Sequence, residues 1–239
     1  ETKWEPVRYL FPVAAPLTGK VERITPLPYS DKPQYIDNTF IDDFNDDNLN
    51  LEWTFIRVPH KRTYTLLGNP GYLRLFSNLN NIENRKRFSM MGFRQKESDF
   101  NYEVKMTFSP NDDKVESGVI HYQKEWNYLT SVVYKNNKRF YLEQKFKQKD
   151  KKVTSLKKVL LKNYKGNIIF KTVSRKDSYT FYYSLDNGKN FNYFTSTDAI
   201  KVLDRNYTGA LLGIFSTSNG KISRDYADFD WVRYKDFIR

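Results

Sequence analysis

Residues 101–108 (NYEVKMTF) alternate strictly between polar and apolar side chains. Successive side chains of a β-strand point to opposite faces, so Tyr102, Val104, Met106 and Phe108 would share one face and the four polar residues the other. Such two-sided strands are typical of an antiparallel sheet with one face on the core and one in water. This stretch therefore predicts an all-β protein.

Short runs of the same kind recur after residue 40, separated by turn signals such as GNPG at 68–71. We expect strands within 40–44, 51–57, 63–67, 72–76, 88–95, 101–108, 117–123, 128–134, 139–146, 153–161, 167–174, 179–185, 191–196, 209–217 and 227–234. Only residues 196–204 could form a short helix. The 18 Phe, 18 Tyr and 4 Trp residues suit pleated, half-buried surfaces. Because no blade-length repeat accompanies the strands, they predict a jelly-roll sandwich of two antiparallel sheets.

The beginning of the chain differs from the rest, because residues 1–38 contain six of the nine prolines. Proline interrupts both helices and strand ladders. We expect an extended Pro-rich strap at 1–38, lying against a surface, and the β-sandwich domain at 39–239. The chain starts at Glu1 without Met or a signal-peptide pattern, which predicts a processed or excised end.

Composition excludes several kinds of chemistry. The absence of cysteine removes disulfides, thiolate metal sites and a cysteine nucleophile. No apolar run approaches the roughly 20 residues that span a bilayer. Much of the net charge of +12 is local, since residues 145–165 carry nine lysines and one aspartate. This segment lacks arginine, so it predicts a solvated hairpin rather than a nucleic-acid groove.

The sequence does not select a cellular location. A secreted, periplasmic or cytoplasmic bacterial protein would each be compatible with this composition.

No catalytic residue is predicted for this chain. The two histidines, His60 and His121, lie far apart, and no P-loop, nucleophile elbow or dinucleotide fingerprint is present. A glycosidase needs two carboxylates facing each other across a sugar, whereas most acidic residues here fall in predicted turns. We therefore expect the chain alone not to be catalytic.

Acidic residues near both ends of the predicted sandwich suggest a metal site. FIDDF (40–44) and DFDW (228–231) place aspartates between aromatic residues. If the first and last strands pair, Asp43, Asp228 and Asp230 could converge and hold a structural Ca²⁺, which prefers carboxylate oxygens. The alternative is that all three are ordinary outward-facing strand residues. No other cofactor is predicted.

Residues 184–191 (SLDNGKNF) fit the pattern S-x-D-x-G-x-x-[WF], which is similar to the Asp box of sialidase propellers. The pattern occurs once, whereas a propeller would repeat it in each blade. Asn187 and Gly188 suit the positive φ angles of a tight hairpin turn, with Asp186 as an acceptor within the turn. The stretch predicts a late hairpin and no catalytic role.

Several stretches in order resemble the C-terminal concanavalin A-like sandwich of family 43 glycoside hydrolases, the β-xylosidases and α-L-arabinofuranosidases. They are DDFNDDNLNLEWTFIRVP with NPGYLRLF, FSMMGFRQKESDFNYEVKMTFSP, ESGVIHYQKEWNYLTSVVY, YTFYYSLDNGKNF, GALLGIFSTSNG and ADFDWVRY. The resemblance covers about residues 40–235. It implies an accessory domain that packs on an upstream five-bladed propeller, which holds the catalytic carboxylates, and that shapes the substrate pocket. An independent carbohydrate-binding jelly roll is the alternative.

Aromatic and polar residues near predicted turns are the candidates for contact with an oligo- or polysaccharide. HYQKEWNY (121–128) places aromatic rings around a turn, where they could stack on the C–H faces of sugars or fill the core. His121 could contact a ligand or be an ordinary strand histidine. The resemblance implies a sandwich loop near the catalytic pocket, and 77–88 is the nearest candidate, with an aromatic residue at its end. The candidate residues are Phe88, Arg94, His121, Tyr122 and Trp126.

Overall fold

The computed structural model describes residues 37–58, 63–203 and 209–237. The chain divides into two units, Glu1–Asp37 and Asn38–Arg239. The predicted strap at 1–38 lies outside the described residues except for its last two positions, and so does His60.

Fourteen strands make up almost all the regular structure of the described residues. They are β1 (Phe40–Asp42), β2 (Tyr64–Thr65), β3 (Leu73–Phe76), β4 (Ser89–Arg94), β5 (Phe100–Thr107), β6 (Glu116–Lys124), β7 (Asn127–Asn136), β8 (Arg139–Lys147), β9 (Thr154–Leu160), β10 (Asn167–Arg175), β11 (Ser178–Ser184), β12 (Asn192–Asp198), β13 (Leu211–Thr217) and β14 (Tyr226–Asp236). A 3₁₀ turn, Ile82–Asn84, and one helix, α1 (Ala199–Val202), complete the list. The all-β prediction is confirmed.

The strands form two antiparallel sheets. The eight-stranded sheet has the order β12-β11-β10-β5-β14-β3-β2, with β1 also paired to β14. The six-stranded sheet has the order β4-β13-β6-β7-β8-β9. The predicted pairing of first and last strands is therefore present, with Phe40 opposite Tyr234.

The main core lies between the sheets, and β5 contributes the side chains that its alternation predicts. Tyr102, Val104 and Met106 are at most 1% exposed, while the polar residues between them are half-buried. The Tyr102 hydroxyl spans the core and donates to the Gly213 carbonyl at 2.9 Å. This bond satisfies the one polar group that the apolar face of the strand brings inside.

Two predicted elements differ from the structure. Residues 51–57 do not form a strand. Within this segment only Thr54 makes a β-bridge, to Gly92 of β4. The helix expected within 196–204 is the single turn α1, because β12 continues to Asp198, paired with Ser178. The Ala199 amide then donates to the Asp177 carbonyl at 2.7 Å.

Candidate functional site

The outer face of the six-stranded sheet is covered rather than solvated over its first four strands. A second apolar cluster lies there, made of Ile82, Phe88, Met90, Ile120, Tyr122, Tyr128, Val132, Leu211 and Phe215. The loop at 77–88, which we call the covering loop, supplies Ile82 and Phe88. Asn78 bridges Thr217 of β13, and the Asn81 side chain accepts from the Asn84 amide at 3.2 Å to cap the 3₁₀ turn. The Asn78 bridge holds the loop against the sheet, and the Asn81 cap stabilises the turn within the loop.

A pocket of about 290 Å³, which we call the arginine pocket, opens where β4, β6 and β13 meet the segment 54–57. The backbone hydrogen bonds between Thr54 and Gly92, 2.7 and 3.0 Å long, hold this segment beside the edge strand β4. Arg94 and Tyr122, two of the predicted residues, both line the pocket. Arg57 and Glu125 line it as well, and sequence reasoning did not select either one.

Arg57 and Glu125 form an ion pair in the arginine pocket. Burial alone would raise the pKa of Glu125, but the hydrogen bond and charge of Arg57 outweigh burial and hold that pKa below its usual value. Burial, with the negative charge of Glu125, raises the pKa of Tyr122, so its hydroxyl stays protonated. The pocket can therefore offer hydrogen bonds to a polar ligand. Among the described residues that line it, Glu125 is the one carboxylate, whereas the acid and base pair of a glycosidase needs two.

Trp126 lies in the turn between β6 and β7, next to the arginine pocket in sequence. Its half-buried ring has the Arg85 guanidinium 5.0 Å and the Lys124 ammonium 5.3 Å from its centroid. These cation–π contacts occupy the ring. Contact between Trp126 and a sugar remains a prediction.

His121 does not lie with the other predicted residues, which corrects the expectation that it contacts a sugar. It is 2% exposed, and its ring lies between the sheets, with centroids 5.2 Å from Tyr179 and 5.2 Å from Phe181. Neither ring nitrogen has a hydrogen-bond partner among the described residues. Burial lowers the pKa of His121 to about 3. The physical reason is strand parity, because adjacent residues face opposite sides and Tyr122 takes the outer one.

Phe88 is also unavailable to a ligand in solvent. It is 8% exposed and packs edge-on against Phe215, with ring centroids 6.2 Å apart. The ring anchors the end of the covering loop in the second apolar cluster, and its burial contradicts the expectation that it contacts a saccharide.

The three predicted calcium ligands do not converge. The Asp228 carboxylate accepts two hydrogen bonds of 2.8 Å from Arg74, Asp230 pairs with Lys105 at 2.7 Å, and Asp43 accepts from the Asn45 amide at 3.3 Å. No group of three possible metal ligands occurs within the described ranges. The strands pair as expected, but cations of the protein already neutralise two of the three carboxylates.

The hairpin at 184–191 has the predicted turn. Asn187 and Gly188 have φ angles of 62° and 86°. Asp186 accepts from the Asn190 amide at 3.0 Å and from its side chain at 2.7 Å, and the Ser184 hydroxyl donates to it at 2.7 Å. These hydrogen bonds lower the pKa of Asp186 to about 2. Every one of these partners belongs to the turn itself, so the motif is a local structural device.

Two antiparallel sheets with a shared core and this strand order define the chain as a concanavalin A-like β-sandwich. A family model described as "Beta xylosidase C-terminal Concanavalin A-like domain" matches residues 41–235. The chain belongs to this family, as the sequence resemblance predicts. No helix in the described part of the chain is long and apolar enough to cross a membrane.

Similar proteins include named enzymes. The chain is 27% identical over 195 residues to the non-reducing end alpha-L-arabinofuranosidase BoGH43B of Bacteroides ovatus, covering 81% of this chain and 36% of that protein. It is 25% identical over 178 residues to a xylosidase/arabinosidase of Butyrivibrio fibrisolvens, covering 70% of this chain and 32% of that protein. The chain thus spans about a third of the length of these curated relatives.

A solved structure of the GH43 BlXynB protein from Bacillus licheniformis superposes with a TM-score of 0.76 at 29% identity, covering 86% of this chain and 41% of that one. The structure titled Bacteroides ovatus Xyloglucan PUL GH43B reaches a TM-score of 0.80 at 24% identity, covering 93% of this chain and 44% of that one. At this identity, the similarity to the Bacteroides ovatus structure supports the fold alone.

Proposed function

We propose that this chain is a non-catalytic accessory domain of a glycoside hydrolase of the β-xylosidase or α-L-arabinofuranosidase type. It packs on a propeller catalytic domain and shapes the substrate pocket there. The observation that carries the proposal is the family match over 41–235 in a chain that spans about a third of relatives named as arabinofuranosidase and xylosidase.

The test compares this chain with a protein that contains it joined to its natural upstream region. With 4-nitrophenyl β-D-xylopyranoside and 4-nitrophenyl α-L-arabinofuranoside as substrates, we expect no nitrophenol release by the chain alone and turnover by the longer protein. Turnover by the chain alone would contradict the proposal. An upstream region unrelated to a propeller would contradict it as well.

The arginine pocket is our candidate for the surface that lies near a bound sugar, because two predicted residues, Arg94 and Tyr122, line it. We expect Arg94→Ala to raise KM of the longer protein about fivefold, since one hydrogen bond to a polar ligand contributes about 1 kcal/mol. Arg233→Ala is the matched control, because Arg233 is exposed on β14 of the other sheet. Equal KM values for the two variants would show that the arginine pocket does not contact the substrate.

An independent carbohydrate-binding module is the second candidate. The observation in its favour is the polar lining of the arginine pocket, where Arg57, Arg94, Tyr122 and Glu125 meet. Such a module would retain a polysaccharide on an affinity gel without any other domain, and Arg94→Ala would weaken the retention.

A further inference from the structure

A second pocket on the outer face of the six-stranded sheet plays no part in the function proposed above. It measures about 210 Å³ and lies between the covering loop and strands β6, β7 and β8. Tyr128, Thr130 and Phe215 line its sheet side, and Asn81 and Asn219 line it from the loops. An aromatic and aliphatic base with amides around it is the lining typical of a small polar ligand.

Hydrogen-bonding groups in this pocket lack partners within the protein. The hydroxyl groups of Tyr128 and Thr130 make no hydrogen bond to any described residue, although Thr130 is only 2% exposed. Burial, reinforced by the charges of Glu83 and Glu116, raises the pKa of Tyr128, so its hydroxyl remains a donor. Neither oxygen is fully enclosed, so both hydroxyls are reachable from the pocket and available to hydrogen-bond a ligand there.

A pair of aromatic rings continues the pocket along the sheet. Tyr134 of β7 lies opposite Tyr141 of β8 in the strand register, and their rings are 5.7 Å apart at an angle of 23°. Both side chains are half-buried, so solvent reaches part of this stacked pair, which we call the tyrosine ledge. Glu116, which lines the pocket, pairs in register with Tyr134. Pocket and ledge are therefore contiguous.

The charges around this site balance, although the hairpin beyond it is strongly basic. Lys145 forms an ion pair with Glu116, and Lys147 pairs with Glu83 at 3.2 Å. On the ledge, Lys158 lies 4.4 Å from the Tyr141 ring centroid and 5.1 Å from that of Tyr134, and Lys145 lies 5.6 Å from that of Tyr134. Lys158 is opposite Glu143 in the register. Since each lysine here has a glutamate neighbour, the site favours an uncharged ligand over an anionic one. The surplus lysines of 145–165 lie elsewhere on the hairpin.

We propose that this pocket and the tyrosine ledge form a binding site for a neutral oligosaccharide, with one sugar unit in the pocket and the next on Tyr134 and Tyr141. Sugar hydroxyls hydrogen-bond to amide and hydroxyl groups, and sugar C–H faces pack on aromatic rings. The site offers the polar groups in the pocket and the aromatic rings next to it. The proposal is separate from the arginine pocket and does not depend on whether the domain packs on a catalytic partner.

The test is calorimetric titration of this chain with xylotetraose and with cellotetraose. We expect binding of at least one of them, with an affinity that changes less than about twofold between about 50 and 200 mM salt, because no counterions are released by a neutral ligand. Tyr134→Ala combined with Tyr141→Ala should weaken binding about tenfold through the loss of ring contacts. Thr130→Val should weaken it about fivefold through the loss of one hydroxyl.

Tyr193→Ala is the matched control, since Tyr193 is a 57% exposed tyrosine on β12 of the other sheet. It should leave the affinity unchanged, and near-ultraviolet circular dichroism should show that every variant is folded. Absence of binding of both tetrasaccharides at about 10 mM, where a Kd of about 1 mM would be saturated, overturns the proposal. Equal affinity of the ledge variant and the control also overturns it. Tighter, strongly salt-dependent binding of tetragalacturonate or of an oligothymidylate would assign this face to an anionic ligand instead.

Discussion

At the scale of single residues, His121 is the least expected feature of the interior. Strand parity predicts correctly that Tyr122 and His121 face opposite sides, but both faces of β6 are apolar, with Val119 on one and Ile120 on the other. The sequence alone therefore could not show which face lies between the sheets. The alternation of residues 101–108 was unambiguous because its second face is polar.

The buried imidazole should make the domain sensitive to acid. The unfolded chain binds a proton at His121 below about pH 6.5, whereas the folded chain does so only near its pKa of about 3. Between these values the unfolded state holds more protons, so the free energy of unfolding falls as pH falls. We expect this group alone to lower that free energy by about 2 kcal/mol from about pH 7 to about pH 5.

Urea unfolding of the wild type and of His121→Leu at both pH values checks this expectation. The variant should lose about 2 kcal/mol less than the wild type over that interval, whatever its stability at about pH 7. Tyr193→Ala serves as a control with the titrating group intact. The same pH dependence in His121→Leu and wild type would contradict the account.

Asp228 is the second residue for which the structure makes a definite prediction. Its carboxylate joins β14 to β3 through Arg74, and its side chain is only 8% exposed. Asp228→Ala should lower the free energy of unfolding by about 1.5–3 kcal/mol, since a hydrogen-bonded charge loses its partner. Asp43→Ala, which loses only a turn contact, should cost less than about 1 kcal/mol.

Thermal unfolding of the wild type and of Asp228→Ala tests whether calcium binds at this carboxylate. Because Arg74 occupies Asp228 and Lys105 occupies Asp230, millimolar CaCl₂ should leave the melting temperature within error of the value in EDTA. A rise in melting temperature that disappears in Asp228→Ala would show that the ion competes successfully with Arg74.

At the scale of elements, most strands follow from alternation and turn signals, while the covering loop does not. Its sequence, SNLNNIENRKRF, is almost entirely polar, and nothing in its pattern indicates that it covers a sheet. Only Ile82 and Phe88 reach the second apolar cluster. The strands beneath give an indirect signal, since β6, β7 and β13 are apolar on both faces and such strands need cover on each side.

The covering loop should contribute to stability through its buried side chains, of which Ile82 is the one in the middle of the loop. Ile82 is 2% exposed, so Ile82→Ala should lower the free energy of unfolding by about 2 kcal/mol or more. Leu79→Ala, in the same loop but 47% exposed, should change it by less than about 0.5 kcal/mol. Equal effects in urea unfolding would mean that the loop does not pack as described.

At the scale of the whole molecule, the class of fold and the family follow from the sequence, whereas the candidate site follows only in part. Tyr122 was selected because it belongs to the aromatic stretch 121–128, and Arg94 lies in a stretch that resembles the family. Arg57, Glu125 and the Glu116–Lys145 pair were missed, because their meeting depends on how loops return to the sheet. Long-range contacts of this kind leave no periodic signal in the chain.

The lysines of β9 should influence how separate molecules behave toward one another. β9 ends the order of the six-stranded sheet, and it exposes Leu156 and Leu160 beside Lys157 and Lys158. Replacing both lysines with valine should promote aggregation, because charged residues on an edge strand oppose pairing with another chain. Light scattering would detect this. Lys162→Val with Lys165→Val removes the same charge outside the strand and should leave the protein monodisperse.

The burial of β6, β7 and β13 on both faces has a consequence for the dynamics of the domain. Their amides lie in the middle of the six-stranded sheet, beneath the main core on one side and the covering loop on the other. Local opening cannot expose them to solvent without separating one of these layers. Hydrogen–deuterium exchange at these strands should therefore proceed only through global unfolding, and its rate would report the stability of the entire sandwich.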